Sequence, residues 1–409
     1  MQSAQTVFRR DAQVIGLVGL AHGTSHFYHL ILAPLFPWLK DAFGLSYAEL
    51  GLLMTVFFAV SGTGQALAGF VVDRIGALPV LLGGIALLGL SALGLAASQS
   101  YPMLIAFAAL AGLGNSVFHP ADFTLLNRRV STGRLGHAFS VHGLSGTLGW
   151  AASPVFLVGI ATAFHWRVAL FAASSIAFVV LAVLIAFRDL LDPREVSAAV
   201  HKSTRSTDGG GMLGFLLLPA VWMCFAFFFI SSMSFGGIQS FAPSALRDIY
   251  SVPFTLATAC ITAYMLASAG GLIVGGFIAS RTAYHDRVIA VAFSAAGLLA
   301  VLTASGALPT WLLMVVLGAI GFGSGIAGPS RDLLVRAAAP RNATGRVYGV
   351  VYSGLDIGLS ISPVLFGALM DASHPGWVFV LIGVFQAGAV LTAVGVGERA
   401  ASKRLSQAA

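Results

Sequence analysis

Apolar stretches of membrane-spanning length recur along the whole chain, near 14–36, 47–72, 77–97, 102–127, 135–159, 166–187, 213–241, 253–279, 287–305, 309–335, 345–370 and 376–396. A bilayer core of about 30 Å needs about 20 apolar residues in a helix. Every backbone polar group there must be satisfied internally, so only helices or closed barrels cross. The alternating ten-residue pattern of barrel strands is absent. Charged residues make up 9% of the chain, against about 25% in soluble domains, and the mean hydropathy is +0.90. These features predict an all-α membrane protein with twelve transmembrane helices. The first stretch contains three histidines and Pro34 and lacks a clear small-residue cleavage site, so it reads as a span and not as a leader.

The net charge of +7 is explained by its distribution. With twelve spans both termini lie on one side. All of the 22 Lys and Arg residues except Lys40, Arg167, Arg247 and Arg331 fall on that side. The positive-inside rule makes it the cytoplasm, and no nucleic-acid partner is needed to account for the basic pI. The expected location is a bacterial cytoplasmic membrane, with both termini inside. The longest polar interruption, 188–212, holds the run HKSTRSTDGGG and reads as a cytoplasmic linker. It separates a six-helix bundle over 1–187 from a second over 213–409. Cys224 and Cys260 stand in separate spans, which predicts neither a disulfide framework nor a thiolate metal site.

The two halves repeat. Residues 112–156 align with 321–365 at one constant offset and without a gap. Gly112 meets Gly321, Pro120 meets Pro329, Gly136 meets Gly345, Gly149 meets Gly358, and Ser153–Pro154 meets Ser362–Pro363. Pseudo-symmetric halves of six helices are a transporter plan, with the substrate site near mid-membrane. The steps Gly19/Gly23, Gly271/Gly275, Gly321/Gly325 and Gly354/Gly358 let helix backbones approach closely.

His22, His26 and His29 are spaced i, i+4, i+7, which places them on one face of the first span. Ionisable groups at membrane depth are costly and face a protein interior or a wet cavity. Imidazole titrates near neutrality, so the stripe points to proton-coupled transport. His26 and Asp356 each lie about 11 or 12 residues from a cytoplasmic end, near the midplane at about 1.5 Å per residue. His26 ranks first as proton carrier or substrate hydrogen-bond partner, followed by His119 and Asp122, with Asp356 a further proton-coupling candidate. His22 and His142 suit interhelical hydrogen bonds, and His29 a wet outer vestibule. Metal ligation is a second reading of the triple histidine. It needs ligands from other helices, so no metal site is assigned.

The cytoplasmic loop after the second span reads Gly69-Phe-Val-Val-Asp73-Arg74-Ile-Gly76-Ala77-Leu78. It resembles the loop signature of the major facilitator superfamily, departing at Ala77 and Leu78, where many relatives are basic. The twelve spans, the repeat and the linker extend that resemblance over the whole chain. Ser25-His26, Phe36-Pro37 and Asn115-Ser-Val-Phe-His119-Pro120 resemble the fosmidomycin-resistance branch, with Ala121-Asp122 where a Pro-Glu sequence is common. The resemblance implies a monomeric carrier and a central cavity lined by spans one, four, seven and ten, flanked by five and eleven. Asp73 and Arg74 would help lock one conformation.

Asp122 and Arg331 occupy matching repeat positions, so they suit a charge pair across the halves that closes a cytoplasmic gate. Otherwise Asp122 pairs with Arg128 or Arg129, and Arg331 with Asp332 or a lipid headgroup. Arg331 also suits an anionic substrate group. His22, Tyr28, Gln65, Asn115, Gln239 and Tyr352 are candidate hydrogen-bond partners for substrate, and Phe225, Phe227, Phe228 and Phe229 a pocket wall or lipid-facing surface. The sequence therefore predicts a proton-coupled carrier of a small amphiphilic or anionic organic compound, exporting it by alternating access. Symport uptake of a monocarboxylate-type anion and metal-ion transport are the alternatives. No catalytic spacing or phosphate loop supports an enzyme, and no cofactor is implied.

Overall fold

The computed structural model describes residues 4–131, 134–191, 218–338 and 344–408. The side chains of Asp73 and Tyr352, and most of the 188–212 linker, lie outside the described residues. The described chain is helical: α1 (Ala4–His29), α2 (Phe36–Phe43), α3 (Tyr47–Ile75), α4 (Ala77–Ala97), α5 (Tyr101–Asn115), α6 (Phe118–Arg129), α7 (Leu135–Ala163), α8 (Trp166–Ala186), α9 (Arg188–Leu191), α10 (Pro219–Ser240), α11 (Ala242–Tyr250), α12 (Phe254–Arg281), α13 (His285–Ala304), α14 (Leu313–Ala338), α15 (Thr344–Asp371) and α16 (Pro375–Ala408). Among the described residues eleven stretches are long and apolar enough to cross a membrane, with α5 and α6 forming one of them. The remaining span is α1. Its 26 residues reach about 39 Å, and its polar His, Ser and Thr side chains lower its hydropathy.

Local chemistry sets the boundaries. The helical part of the first span stops at His29, earlier than expected, because Pro34 and Pro37 follow. Each lacks an N–H, and each disfavours helical geometry in the residue before it. Gly44, at φ +64°, ends α2 in the left-handed region, and the Leu45 N–H returns to the Lys40 carbonyl at 3.1 Å. This is the arrangement that glycine favours after a helix. Ser46 and Glu49 then start α3 as a reciprocal capping box, Ser46 N–H to Glu49 Oε2 at 2.8 Å and Glu49 N–H to Ser46 Oγ at 3.1 Å. The break between α5 and α6 falls at Ser116–Val117, one turn before Pro120, which cannot donate to the Ser116 carbonyl.

Two compact units emerge: Met1–Leu35 with Val56–Asp208, and Phe36–Thr55 with Gly209–Ala409. In the first, α1 and α7 come close at Gly23 and Gly149, where a Cβ on Gly149 would strike the Gly23 carbonyl oxygen. Arg167 closes the end of α4 through the Ala96 and Ser98 carbonyls, at 2.5 and 2.8 Å. In the second, the steps Gly271/Gly275 on α12 and Gly321/Gly325 on α14 each press against the other helix's backbone. Phe227 and Phe228 are buried with Cys224 and Phe293 in a core cluster, a correction to the expectation of a pocket wall or lipid-facing surface for these two. Large apolar side chains such as Phe70, Val291, Leu298 and Leu391 are exposed, as a lipid-facing exterior requires.

Candidate functional site: a buried histidine and carboxylate cluster

The first unit holds five imidazoles and one carboxylate in contact. Three come from the α1 stripe. Two residues come from α6: the Pro120 break starts a new helix at Phe118, which brings His119 and Asp122 to the same place. His142 comes from α7. Asp122 is fully enclosed. Its Oδ2 lies 3.1 Å from His142 Nε2 and 3.2 Å from His22 Nδ1. The two imidazoles stack, with ring centres 3.5 Å apart. From His22 the cluster continues to His26 at 4.3 Å and to His119 at 5.3 Å.

Surrounding side chains hold these rings in place. Gln65 Oε1 lies 2.9 Å from His119 Nδ1. An amide oxygen only accepts, so Nδ1 carries the proton and Nε2 keeps its lone pair. Ser25 donates to Asn115 Oδ1 at 2.8 Å, and Asn115 Nδ2 donates to Ser61 Oγ at 2.8 Å, which ties α1, α5 and α3 together. Trp150 packs on His26 at 4.3 Å and donates its indole N–H to His29 Nδ1 at 3.3 Å. His26 is buried, and neither of its ring nitrogens has a hydrogen-bond partner. Glycine at 146 leaves the room for it: a Cβ there would lie 2.6 Å from His26 Nδ1 and 3.1 Å from His22 Nε2.

The remaining sequence candidates are placed as follows. His29 is enclosed by Phe57, Phe58 and Trp150, a correction to the wet vestibule. The Tyr28 hydroxyl donates to the Ala173 carbonyl at 3.0 Å, a bond from α1 to α8. Asp122 sits on His22 and His142, while Arg331 bonds Asp332 Oδ1 at 2.9 Å and lies 4.7 Å over the Phe228 ring. In the second unit Asp356 is half-buried on α15, and Gln239 on α10 is buried with both amide atoms unpartnered. Arg74 is exposed. Sequence reading passed over Gly146 and Trp150. The α7 run His142-Gly-Leu-Ser-Gly146-Thr-Leu-Gly149-Trp150 carried a signal, because His142, Gly146, Gly149 and Trp150 share one helical face.

A family model described as Major Facilitator Superfamily matches residues 18–308. The chain belongs to that superfamily. Similar curated proteins are transporters, and so is this chain; none is an enzyme. The fosmidomycin resistance protein of Escherichia coli (strain K12) is 23% identical over 68% of this chain and 68% of its own length. The probable nitrate/nitrite transporter NarK2 of Mycobacterium tuberculosis is 27% identical over 83% of this chain and 85% of its own. The cis,cis-muconate transport protein of Acinetobacter baylyi is 23% identical over 84% of each. Among solved structures, an inward-facing, unoccupied bacterial homologue of the human lysosomal transporter Spinster superposes with TM-score 0.70. It covers 95% of this chain and 94% of its own, at 14% identity, and shows the shared fold. The superfamily member described here is thus a multi-pass membrane transporter with two six-helix halves.

Proposed function

We propose that this transporter is a proton-coupled exporter of a small amphiphilic or anionic organic compound. The observation that carries the reading is Asp122, a carboxylate wholly enclosed in a membrane-embedded unit, with one oxygen shared by His22 and His142. An isolated charge there is costly. A proton shared among a carboxylate and imidazoles removes that cost and can be taken up and released. His26 and His119 border the same cluster and pass the proton onward, and Asp356 is a second proton-exchanging carboxylate in the other unit.

Arg331 holds the anionic group of the substrate by exchanging its bond to Asp332. Gln239, Asn115, Gln65, Tyr352 and His22 supply hydrogen bonds, and Tyr28 shapes the site through its bond to α8. Relatives named for fosmidomycin resistance and for nitrate, nitrite and muconate support a substrate of this kind. In the alternating cycle Asp73 and Arg74, and Asp122 with Arg331, act at the cytoplasmic gate. The protein works as a monomer in the cytoplasmic membrane, with both termini inside and bundles over 1–187 and 213–409 joined by the 188–212 linker.

The nitrate/nitrite and muconate relatives are named for transport without resistance, which supports a second reading, uptake of an anion by proton symport. Proteoliposomes containing a pH-sensitive dye, challenged with small organic anions and antibiotics, test the proposal. Substrate-dependent proton movement that His26→Ala abolishes is the expected result. Substrate flux without proton movement, intact in His26→Ala, refutes it. The direction of proton movement relative to substrate separates export from symport.

A further inference from the structure

We propose that His22, His26 and His119 form a three-imidazole site for a late first-row divalent cation of the Zn2+, Co2+ and Ni2+ class. One ligand nitrogen from each residue lies within 4.8 Å of the other two. Four-coordinate zinc at about 2.0–2.1 Å from nitrogen sets ligand atoms about 3.3–3.4 Å apart. Small rotations of the three rings close the difference.

The hydrogen bonding around the rings argues for this site independently of the distances. A metal-ligating histidine gives its other ring N–H to a carboxylate or carbonyl, which fixes the tautomer and aims the ring. One of the three rings has that partner, and a second has a carboxylate beside it. His22 Nδ1 lies 3.2 Å from Asp122 Oδ2, a charge contact without hydrogen-bond alignment. His119 Nδ1 faces Gln65 Oε1 at 2.9 Å, leaving Nε2 as its ligand atom. His26 has no hydrogen-bond partner at either nitrogen despite its burial. An unbonded buried imidazole is costly, and a metal–nitrogen bond satisfies it. His22 Nε2 and His26 Nδ1 border the same space, the one a side chain at Gly146 would fill.

The neighbouring trio His22, Asp122 and His142 also meets the distance condition. There, however, both rings direct a nitrogen to the same Asp122 oxygen. That contact makes Asp122 the outer anionic partner of a metal at the first trio, where its charge favours the cation. Three protein ligands leave a fourth position for water or a donor atom of another molecule. Binding draws only on imidazole lone pairs and moves no proton.

The test uses the full chain, purified in detergent, freed of any affinity tag and treated with chelator. Zn2+ is titrated calorimetrically, and Co2+ is followed by its visible d–d absorption. The expected result is one ion per chain, with the intense Co2+ bands of a four-coordinate site. His26→Gln and His119→Gln weaken binding by more than about 100-fold. Gln65→Leu, which keeps all three ligands, weakens it by about 10–100-fold, as loss of an outer partner does. His137→Gln, on the exposed side of α7, leaves it unchanged. Binding unaltered by His26→Gln and His119→Gln, or only weak six-coordinate Co2+ bands, overturns the proposal. Where a ligand variant fails to fold, thermal unfolding of the wild type with and without Zn2+ decides: an upward shift supports the site, and no shift refutes it. No gradient or substrate enters these measurements, so the metal site and the proton-coupled reading can fail separately.

Discussion

Asp371, the last residue of α15, caps the helix that begins at Tyr47. Its Oδ1 accepts the Tyr47 backbone N–H at 2.7 Å, and its Oδ2 accepts that of Ala48 at 2.8 Å. The first four N–H groups of a helix have no partner within it, and here a distant carboxylate satisfies two of them. Its charge also lies at the positive end of the helix dipole. Thr55 Oγ1 donates to the Ser360 carbonyl at 2.5 Å two turns further along, so this end of α3 is bonded along α15. Asp371→Ala is expected to lower stability by about 1 kcal/mol, the usual cost of a lost cap. The loss should appear in thermal unfolding and as faster amide exchange at Tyr47 and Ala48. Unchanged exchange at those two amides would contradict the contact.

Gly146 bears directly on the cluster. Alanine there would place a methyl 2.6 Å from His26 Nδ1. The ring cannot swing away freely, because Trp150 and His29 flank it at 4.3 and 4.7 Å. Overpacking of this kind costs about 1–3 kcal/mol. Gly146→Ala is therefore expected to lower the unfolding temperature and to reduce substrate flux. Gly143→Ala is the control one turn away on α7, with nothing within 4 Å of its added carbon. There the better helix propensity of alanine should raise stability by up to about 1 kcal/mol. Equal effects of the two substitutions would show that the space at 146 is not special.

The N-terminal end of α1, ahead of the apolar stretch that starts near residue 14, gives a pH prediction. Burial raises the Asp11 carboxyl, but hydrogen bonds from Ser131 and Arg134, with the Arg134 charge, outweigh it and hold the group below the usual carboxylate range. The Arg134 contact is 2.7 Å. A carboxyl lowered on folding contributes stability that is full above its unfolded value, about 3.9, and fades as pH falls through the native value. Asp11→Asn should thus be less stable than wild type at neutral pH, and the gap should narrow as pH drops below about 4. Thermal unfolding across that range checks it, and a gap that widens on acidification would contradict the ion pair.

Much of this arrangement was legible in the residues, and the reasons differ from group to group. The His22, His26 and His29 stripe follows from helical spacing alone, and the family follows from the loop at Gly69–Gly76 with the twelve apolar stretches. The convergence of α6 on that stripe was not legible. It depends on the break before Pro120, and helical periodicity does not show how far a break turns the following residues. Asp371 is separated from Tyr47 by most of the chain, and no local pattern joins them. The capping box at Ser46 and Glu49 was readable from its spacing, but the hydropathy of the surrounding span masks it. His29 looked peripheral by its distance from the helix start. Phe57 and Phe58 of α3 and Trp150 of α7 close around it, which counting along one helix does not reveal.

Asp122, in contact with His22 and His142, is the proposed carrier of the proton that drives transport. The most direct test of that role is proton flux into dye-loaded proteoliposomes on addition of substrate, with chelator present, for wild type and Asp122→Asn. The asparagine keeps the shape of the side chain but neither ionises nor shares a proton with the imidazoles. Asp122→Asn is expected to abolish substrate-dependent proton movement while the folded protein still exchanges substrate across the membrane without a gradient. Proton movement at the wild-type rate in Asp122→Asn would contradict it.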